Sequence, residues 1–390
     1  MKRKCIALIM AMMMLFALVV ACAAPQAPET PPAAETGQDP DPTPAPEVEA
    51  ADDGLSVLFL VHGHLGDRGF TDATASGFFR LRDELGWNVR VVEMGLDPAA
   101  WESFFLEESE SGEWDVIAAA TFSMKDLVET TAAMFPEQVF FGIDFPVNWD
   151  VVTEGNALGL EFFGNHAGFL GGALAALMLE TDHPMIDPEN SVVGFLGAMD
   201  VPNINDFLIG FIDGINYINP DVRVLTSYAG SFSDIAAAYE VAMMLYSMGA
   251  QIVYAPAAGG IMGAVQASSD SGGLFIACDN DVWYIMSETD PNVVRYIISS
   301  TMKNMGDAIF TMLTGYAEGR FVLGENHALG VAEGAVGLAD NQNFREHVPA
   351  NVIERLDEVA QSLAAGEITV GSAFGMDAAA VAALRDGMAP

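Results

Sequence analysis

The chain has 390 residues, with 15 Lys and Arg against 54 Asp and Glu and a formal charge of −39. So acidic a chain has little with which to neutralise phosphates, so nucleic acid is excluded as a partner; the charge describes a soluble, self-repelling surface. Three cysteines, Cys5, Cys22 and Cys278, are too few for a disulfide framework or a cysteine-built zinc site.

The chain opens with Lys2, Arg3 and Lys4, followed by an apolar run from Cys5 to Ala21. That run is short for a membrane span and nothing stops it on the far side, so residues 1–21 read as a signal peptide. It closes on Val19-Val20-Ala21-Cys22, which is similar to the lipobox of bacterial lipoproteins; the resemblance implies lipidation of Cys22. From Ala23 to Asp53 the chain is mostly Pro, Ala, Glu, Thr and Asp. Such a composition buries no core, so residues 22–53 read as a lipidated, disordered tether. The roughly 335 residues beyond it suffice for two domains.

From Leu55 onward strands and helices alternate. Val57 to Val61 is a short apolar run ending in glycines, the pattern of a buried parallel strand. A helix follows over 72–85, then strands at 88–92, 115–119 and 139–144. Repeated units of this kind build a doubly wound parallel α/β sheet. The same order restarts at Val192 to Leu196. Gly77-Phe78 on the first helix corresponds to Gly210-Phe211 on the second, and in both halves the next strand begins eleven residues later, at Asn88 and Asp221. The third strand recurs at 251–254 and the fourth at 274–279. Asp144 and Asp279 are thus equivalent strand-end residues of two lobes. Ligands bind beyond the carboxyl ends of parallel strands, so two facing lobes put both aspartates at one cleft. A strand-end Asp serves equally well as a helix cap, and Asp281 competes with Asp279 for a ligand role. Cys278, within the fourth-strand run, reads as a buried core thiol.

Six segments in order then resemble one family. They are Gly66-Asp67-Arg68-Gly69-Phe70-Thr71, His166 to Gly172, Gly197 to Pro202, Tyr228 to Asp234, Ser300-Thr301-Met302-Lys303 and Glu333 to Leu338. Over residues 55 to 340 the chain resembles the basic membrane protein family of ABC-transporter substrate-binding lipoproteins, a group that includes purine nucleoside receptors. The resemblance implies a type I periplasmic-binding-protein-like clamshell. Its lobes are expected over 54–163 plus about 281–323, and over 164–280 plus about 324–390. It implies that Phe70 and Phe232 stack on the two faces of a base, that Asp144 accepts from base nitrogens, and that Asp279 and Lys303 hold ribose hydroxyls. It implies an ABC permease and ATPase as partners, with the protein held at the outer face of the membrane by its lipid. A monomer is expected. One departure stands out: where the family has Ser-Phe-Asn, this chain has Gly69-Phe70-Thr71, so Thr71 lacks an amide that would meet a base edge.

An enzyme is not expected, since no nucleophile elbow, phosphate loop or His-x-x-x-His pair occurs, and no cofactor or metal is called for. Gly259-Gly260 with Gly263 forms a turn that lets backbone approach a ligand, with Gly260 as the contact. His62 and His64 read either as exposed loop residues or as a changed ligand edge. The same clamshell suits a sugar or another small molecule, and suits a sensor for a membrane kinase.

Overall fold

The computed structural model describes residues 54–390; the expected signal peptide, the expected lipidation site Cys22 and the expected tether lie outside the described residues. Two six-stranded sheets each form one lobe. The first lobe begins with β1 (Ser56–Val61), α1 (Phe70–Leu85), β2 (Asn88–Glu93), α2 (Pro98–Ser111), β3 (Val116–Ala120), α3 (Lys125–Met134), β4 (Val139–Ile143) and β5 (Ala157–Phe162). The second follows with α4 (Gly164–Leu179), β6 (Val192–Gly197), α5 (Pro202–Ile218), β7 (Arg223–Tyr228), α6 (Ile235–Ser247), β8 (Ile252–Tyr254), α7 (Ile261–Ser271), β9 (Leu274–Asp279), α8 (Val282–Met286), α9 (Pro291–Val294) and β10 (Ile297–Lys303). The chain then returns for α10 (Met305–Ala317) and β11 (Glu325–Leu329), and ends with β12 (Val336–Leu338), α11 (Gln342–His347), α12 (Ala350–Ala364) and α13 (Ala378–Gly387).

Strand order is β11-β5-β4-β3-β1-β2 in one sheet and β12-β10-β9-β8-β6-β7 in the other. The two orders superpose strand for strand, so the repeat extends through the whole sheet. They differ at one edge, where β11 runs parallel to β5 and β12 antiparallel to β10. The central strands are apolar on both faces because helices cover both. In β1, Val57, Phe59 and Val61 pack toward α1 and α10, while Leu58 and Leu60 pack with Trp101, Phe105 and Val128 of α2 and α3.

The expected lobe boundaries need correction. Strand β10 pairs with β9, so the segment from 281 through 303 belongs to the second lobe, and β11 pairs with β5, so 325–329 belongs to the first. The chain crosses between lobes at Phe163, Asn304 and Gly330. The crossings run side by side: the Phe163 amide donates to the Leu329 carbonyl at 2.9 Å, and the Asn304 amide to the Ala335 carbonyl at 2.9 Å.

Helices α4 and α5 touch backbone to backbone. A Cβ at Gly168 would stand 2.1 Å from the Phe207 carbonyl oxygen, and one at Gly210 would stand 2.0 Å from that of Asn165. Buried Asp206 of α5 accepts from the Asn165 amide at 2.8 Å, the Ser372 hydroxyl at 2.6 Å and the Ala373 amide at 3.0 Å, tying the C-terminal tail to both helices. The tail then reaches the first lobe, where Phe374 packs on Phe122 with ring centroids 6.3 Å apart.

Candidate functional site

Asp144 and Asp279 both adopt left-handed backbone, with φ of 66° and 70°. Few residues besides glycine do so, and aspartate is among the tolerant ones. The kink ends β4 and β9 at the same point, and both carboxylates line one cavity of about 380 Å³ between the lobes. Neither acts as a helix cap. Asp281, its rival by sequence, does: it caps α8 by accepting from the Tyr284 amide at 3.0 Å, takes the Asn341 side-chain amide at 2.8 Å, and does not reach the cavity.

Lys303, at the end of β10, donates to Asp144 Oδ1 at 2.8 Å across the lobes, and its ammonium stands 4.8 Å from the Phe207 ring centroid. Burial opposes this charge, but the Asp144 and Asp279 carboxylates outweigh it and hold the ammonium above its ordinary pKa. Burial pushes the Asp144 carboxyl up against the pull of Lys303. For Asp279 burial dominates, Lys303 pulls back and Asp144 adds to the rise, leaving it at about 6.

Phe70 and Thr71 start α1, on a loop fixed by Asp67, which accepts the Gly69 and Thr71 amides at 2.9 Å each. Both line the cavity, as does Phe232 from the second lobe. Gly260 does not: its amide donates to the Phe232 and Ala257 carbonyls, so it shapes the turn, and its neighbour Gly259 lines the cavity instead. The two histidines part company. His62 sits against Phe70 and Trp101, ring centroids 6.4 Å from each, and burial lowers its pKa so that it is neutral at pH 7. His64 is exposed at the rim and bonds Glu93 at 2.9 Å.

Sequence reasoning passed over Thr121, Leu96, Met262, Asn203 and Phe207, which also line the cavity. The repeat held a signal for one of them. Phe70 and Asn203 each precede the matched glycines, Gly77 and Gly210, by seven residues. The lobes also meet at the cleft edge, where the Asn280 side chain donates to the Gly69 carbonyl at 2.7 Å.

Residues 55–370 match the family described as Bmp, ABC transporter substrate-binding protein PnrA-like. The chain belongs to this family. Among its relatives, basic membrane protein A of Borreliella afzelii is 26% identical over 319 residues, covering 80% of this chain and 90% of that protein. Basic membrane protein D of Borreliella burgdorferi strain JD1 is 24% identical over 328 residues, covering 82% and 90%. A solute-binding protein of an ABC transporter system from Aeropyrum pernix K1 superposes with a TM-score of 0.75 at 25% identity, over 85% of this chain and 98% of that one. One from Conexibacter woesei, at 19% identity, a TM-score of 0.63 and 82% and 99% coverage, shares the fold. Bmp-family membership gives the protein its general role: it takes a small molecule outside the cytoplasm for a membrane transporter, and the family is one of binding proteins, not an enzyme class.

Proposed function

We propose that this Bmp-family protein captures a purine nucleoside between its lobes as a monomeric lipoprotein anchored through Cys22, and delivers it to an ABC permease. The observation that carries the reading is the grouping of Phe70 and Phe232, from opposite lobes, with Asp144, Asp279 and Lys303 around one cavity. A nucleobase is a flat π surface edged with donors and acceptors, and aromatic stacking contributes about 1–3 kcal/mol per base. Asp144 serves as the charge-assisted acceptor for base N–H groups. Asp279 and Lys303 match a ribose diol, the one accepting and the other donating. Two carboxylates facing one ammonium leave the site negative, which disfavours phosphorylated nucleotides.

Guanosine, inosine or adenosine is expected to raise the melting temperature of the purified protein. Ligand at about 100 times Kd adds roughly 2.7 kcal/mol, readily seen by thermal shift. A flat response to all three, with a shift for a sugar, would sink the nucleoside reading. Cys22→Ala is expected to move the protein from the membrane fraction to the soluble one.

The proposed ribose contact makes binding depend on pH. Asp279 offers the ribose diol a charge-assisted acceptor on both oxygens only when ionised, and its carboxyl stands at about 6. Kd is therefore expected to rise about tenfold per pH unit below that point. Titrations at pH 7.5 and 5 with the same affinity would remove Asp279 from the ligand contacts. Asp279→Asn is expected to bind more weakly and to lose the pH dependence.

A further inference from the structure

Six buried side-chain atoms have no hydrogen-bond partner among the described residues, and of these only Asn203 Oδ1 belongs to a residue that lines the cavity. Asn203 lies in the first turn of α5, one helical turn before Phe207. Asn205, two residues on, shows what an amide does here when the protein uses it internally: it donates to Asp200 at 2.7 Å and accepts from Tyr228 at 2.7 Å. Asn203 has no such use for its oxygen. Lys303, which lines the same space, donates to Asp144, not to Asn203.

A separate recess of about 10 Å³ shares Asn203, Asp144, Phe207 and Lys303 with the cavity and is lined also by Glu161, Asp206 and Phe374. That space holds one water at most. A ligand filling the main cavity therefore does not extend into the recess and meets Asn203 and Asp144, which line both spaces. A buried acceptor with no partner in the chain calls for a donor from outside it, a water or a ligand. The amide carries its own donor beside that acceptor, so it complements an edge that presents a donor and an acceptor side by side.

We propose that Asn203 reads the deep edge of the ligand through its side-chain amide, accepting one hydrogen bond and donating one. The inference rests on the nucleoside reading and narrows it: the ligand is a purine whose six-membered ring carries an adjacent donor and acceptor, as an oxo- or amino-purine does. Asn203 then takes in the second lobe the place that Phe70 takes in the first, one residue stacking on the ring and its counterpart reading the rim.

The test compares wild type with Asn203→Leu, titrating inosine and unsubstituted purine riboside by calorimetry. Inosine presents the N–H and carbonyl pair, its one N–H shared between the Asn203 oxygen and Asp144; purine riboside lacks the pair. Leucine is expected to weaken inosine binding roughly tenfold to a hundredfold, because the ligand's polar edge is left unpaired, and to change purine riboside binding by less than about threefold. The ligand-free melting temperature is expected not to fall, since Asn203 Oδ1 holds nothing in the chain together; a structural role would lower it. Asn203→Ala, which adds no bulk, is expected to show the same selectivity. Equal losses for both ligands in the two variants, or no loss for either, would overturn the assignment. Wild type that binds neither inosine nor guanosine would remove the nucleoside reading itself and this proposal with it, whereas wild type that binds inosine while the variants bind it equally well would remove the Asn203 assignment alone.

Discussion

Alanine at Gly168 or at Gly210 is expected to lower the melting temperature by roughly 4 °C, a loss of about 3 kcal/mol from one added carbon. The reason is where that carbon falls. On α4, a Cβ at Gly168 meets the Phe207 carbonyl oxygen at 2.1 Å, and one at Gly172 meets that of Phe211 at 2.1 Å. On α5, a Cβ at Gly210 meets the Asn165 oxygen at 2.0 Å, and one at Gly214 meets the Phe169 oxygen at 2.1 Å. Each helix thus presents two small residues one turn apart to the other's backbone, and no side chain can rotate aside to relieve the overlap. The helices must part, opening the core around Phe169 and Phe211, and the gain of about 1 kcal/mol in helix propensity from glycine to alanine does not offset this. The double variant is expected to cost less than the sum, because one separation of the helices relieves both clashes. Gly337→Ala, with no atom within 4 Å of its Cβ position, is the control and is expected to change stability by less than about 0.5 kcal/mol. A Gly210→Ala protein that melts with wild type would show that the helices separate freely. Because α5 carries Asn203 and Phe207 into the cleft, ligand affinity is expected to fall with stability.

The same glycines mark what sequence conveys about this molecule. Gly77 and Gly210 align the two halves, and in the fold both are points where α1 and α5 press on a helix that follows a crossing of the chain: a Cβ at Gly77 would stand 2.7 Å from the Gly306 oxygen of α10. The apolar runs of β1, β4, β6 and β9 were legible because strands buried on both faces must be apolar along their length. The paired strand-end aspartates followed from the repeat alone. Ownership of β10 did not. An apolar run that ends in Lys303 and leads into a helix looks the same whichever sheet receives it, and pairing with β9 is a property of distant chain. That Gly259 and not Gly260 lines the cavity was hidden for a similar reason: which of two adjacent glycines faces the cleft depends on where the Phe232 loop rests. Asn203 follows a proline in a first helical turn, where an amide ordinarily meets water. It faces the cleft because α5 is held against α4.

The tail's role as a connector is not legible in its sequence. Helical spacing marks α12 and α13 from their own residues. Nothing local says that the stretch between them runs back over α5, places Ser372 and Ala373 on Asp206, and sets Phe374 on Phe122 of the other lobe. Asp206 is the residue that makes the route necessary, since a buried carboxylate needs donors and the tail supplies two.

Replacing Lys303 with methionine is expected to cost about 3–5 kcal/mol at pH 7.5 and to abolish the proposed nucleoside binding. Methionine keeps the length and most of the volume of lysine, so packing on Phe207 changes little and the loss reports charge. The side chains of Lys303 and Asp144 are only 5% and 9% exposed, and Asp279 is 7% exposed, so removing the ammonium strands two carboxylates in a space that water screens poorly. The pH dependence gives this cause away. Without the ammonium the folded-state carboxyls of Asp144 and Asp279, already pushed up by burial, rise further above the unfolded value of about 3.9. Between that value and the raised one the folded protein binds more protons than the unfolded chain, so the variant gains stability relative to wild type as pH falls from 7.5 toward 5. Chemical denaturation at those two pH values checks the sign; a gap from wild type that does not narrow at pH 5 would assign the loss to packing instead. Adding Asp144→Asn to Lys303→Met is expected to recover much of the loss at pH 7.5, because one stranded charge is gone. Asp144→Asn alone is milder, because Lys303 then has Asp279 as its remaining carboxylate neighbour. Lys303 is thus the group that lets two acceptors stand ionised at the seam between the lobes, where the ligand is proposed to meet them.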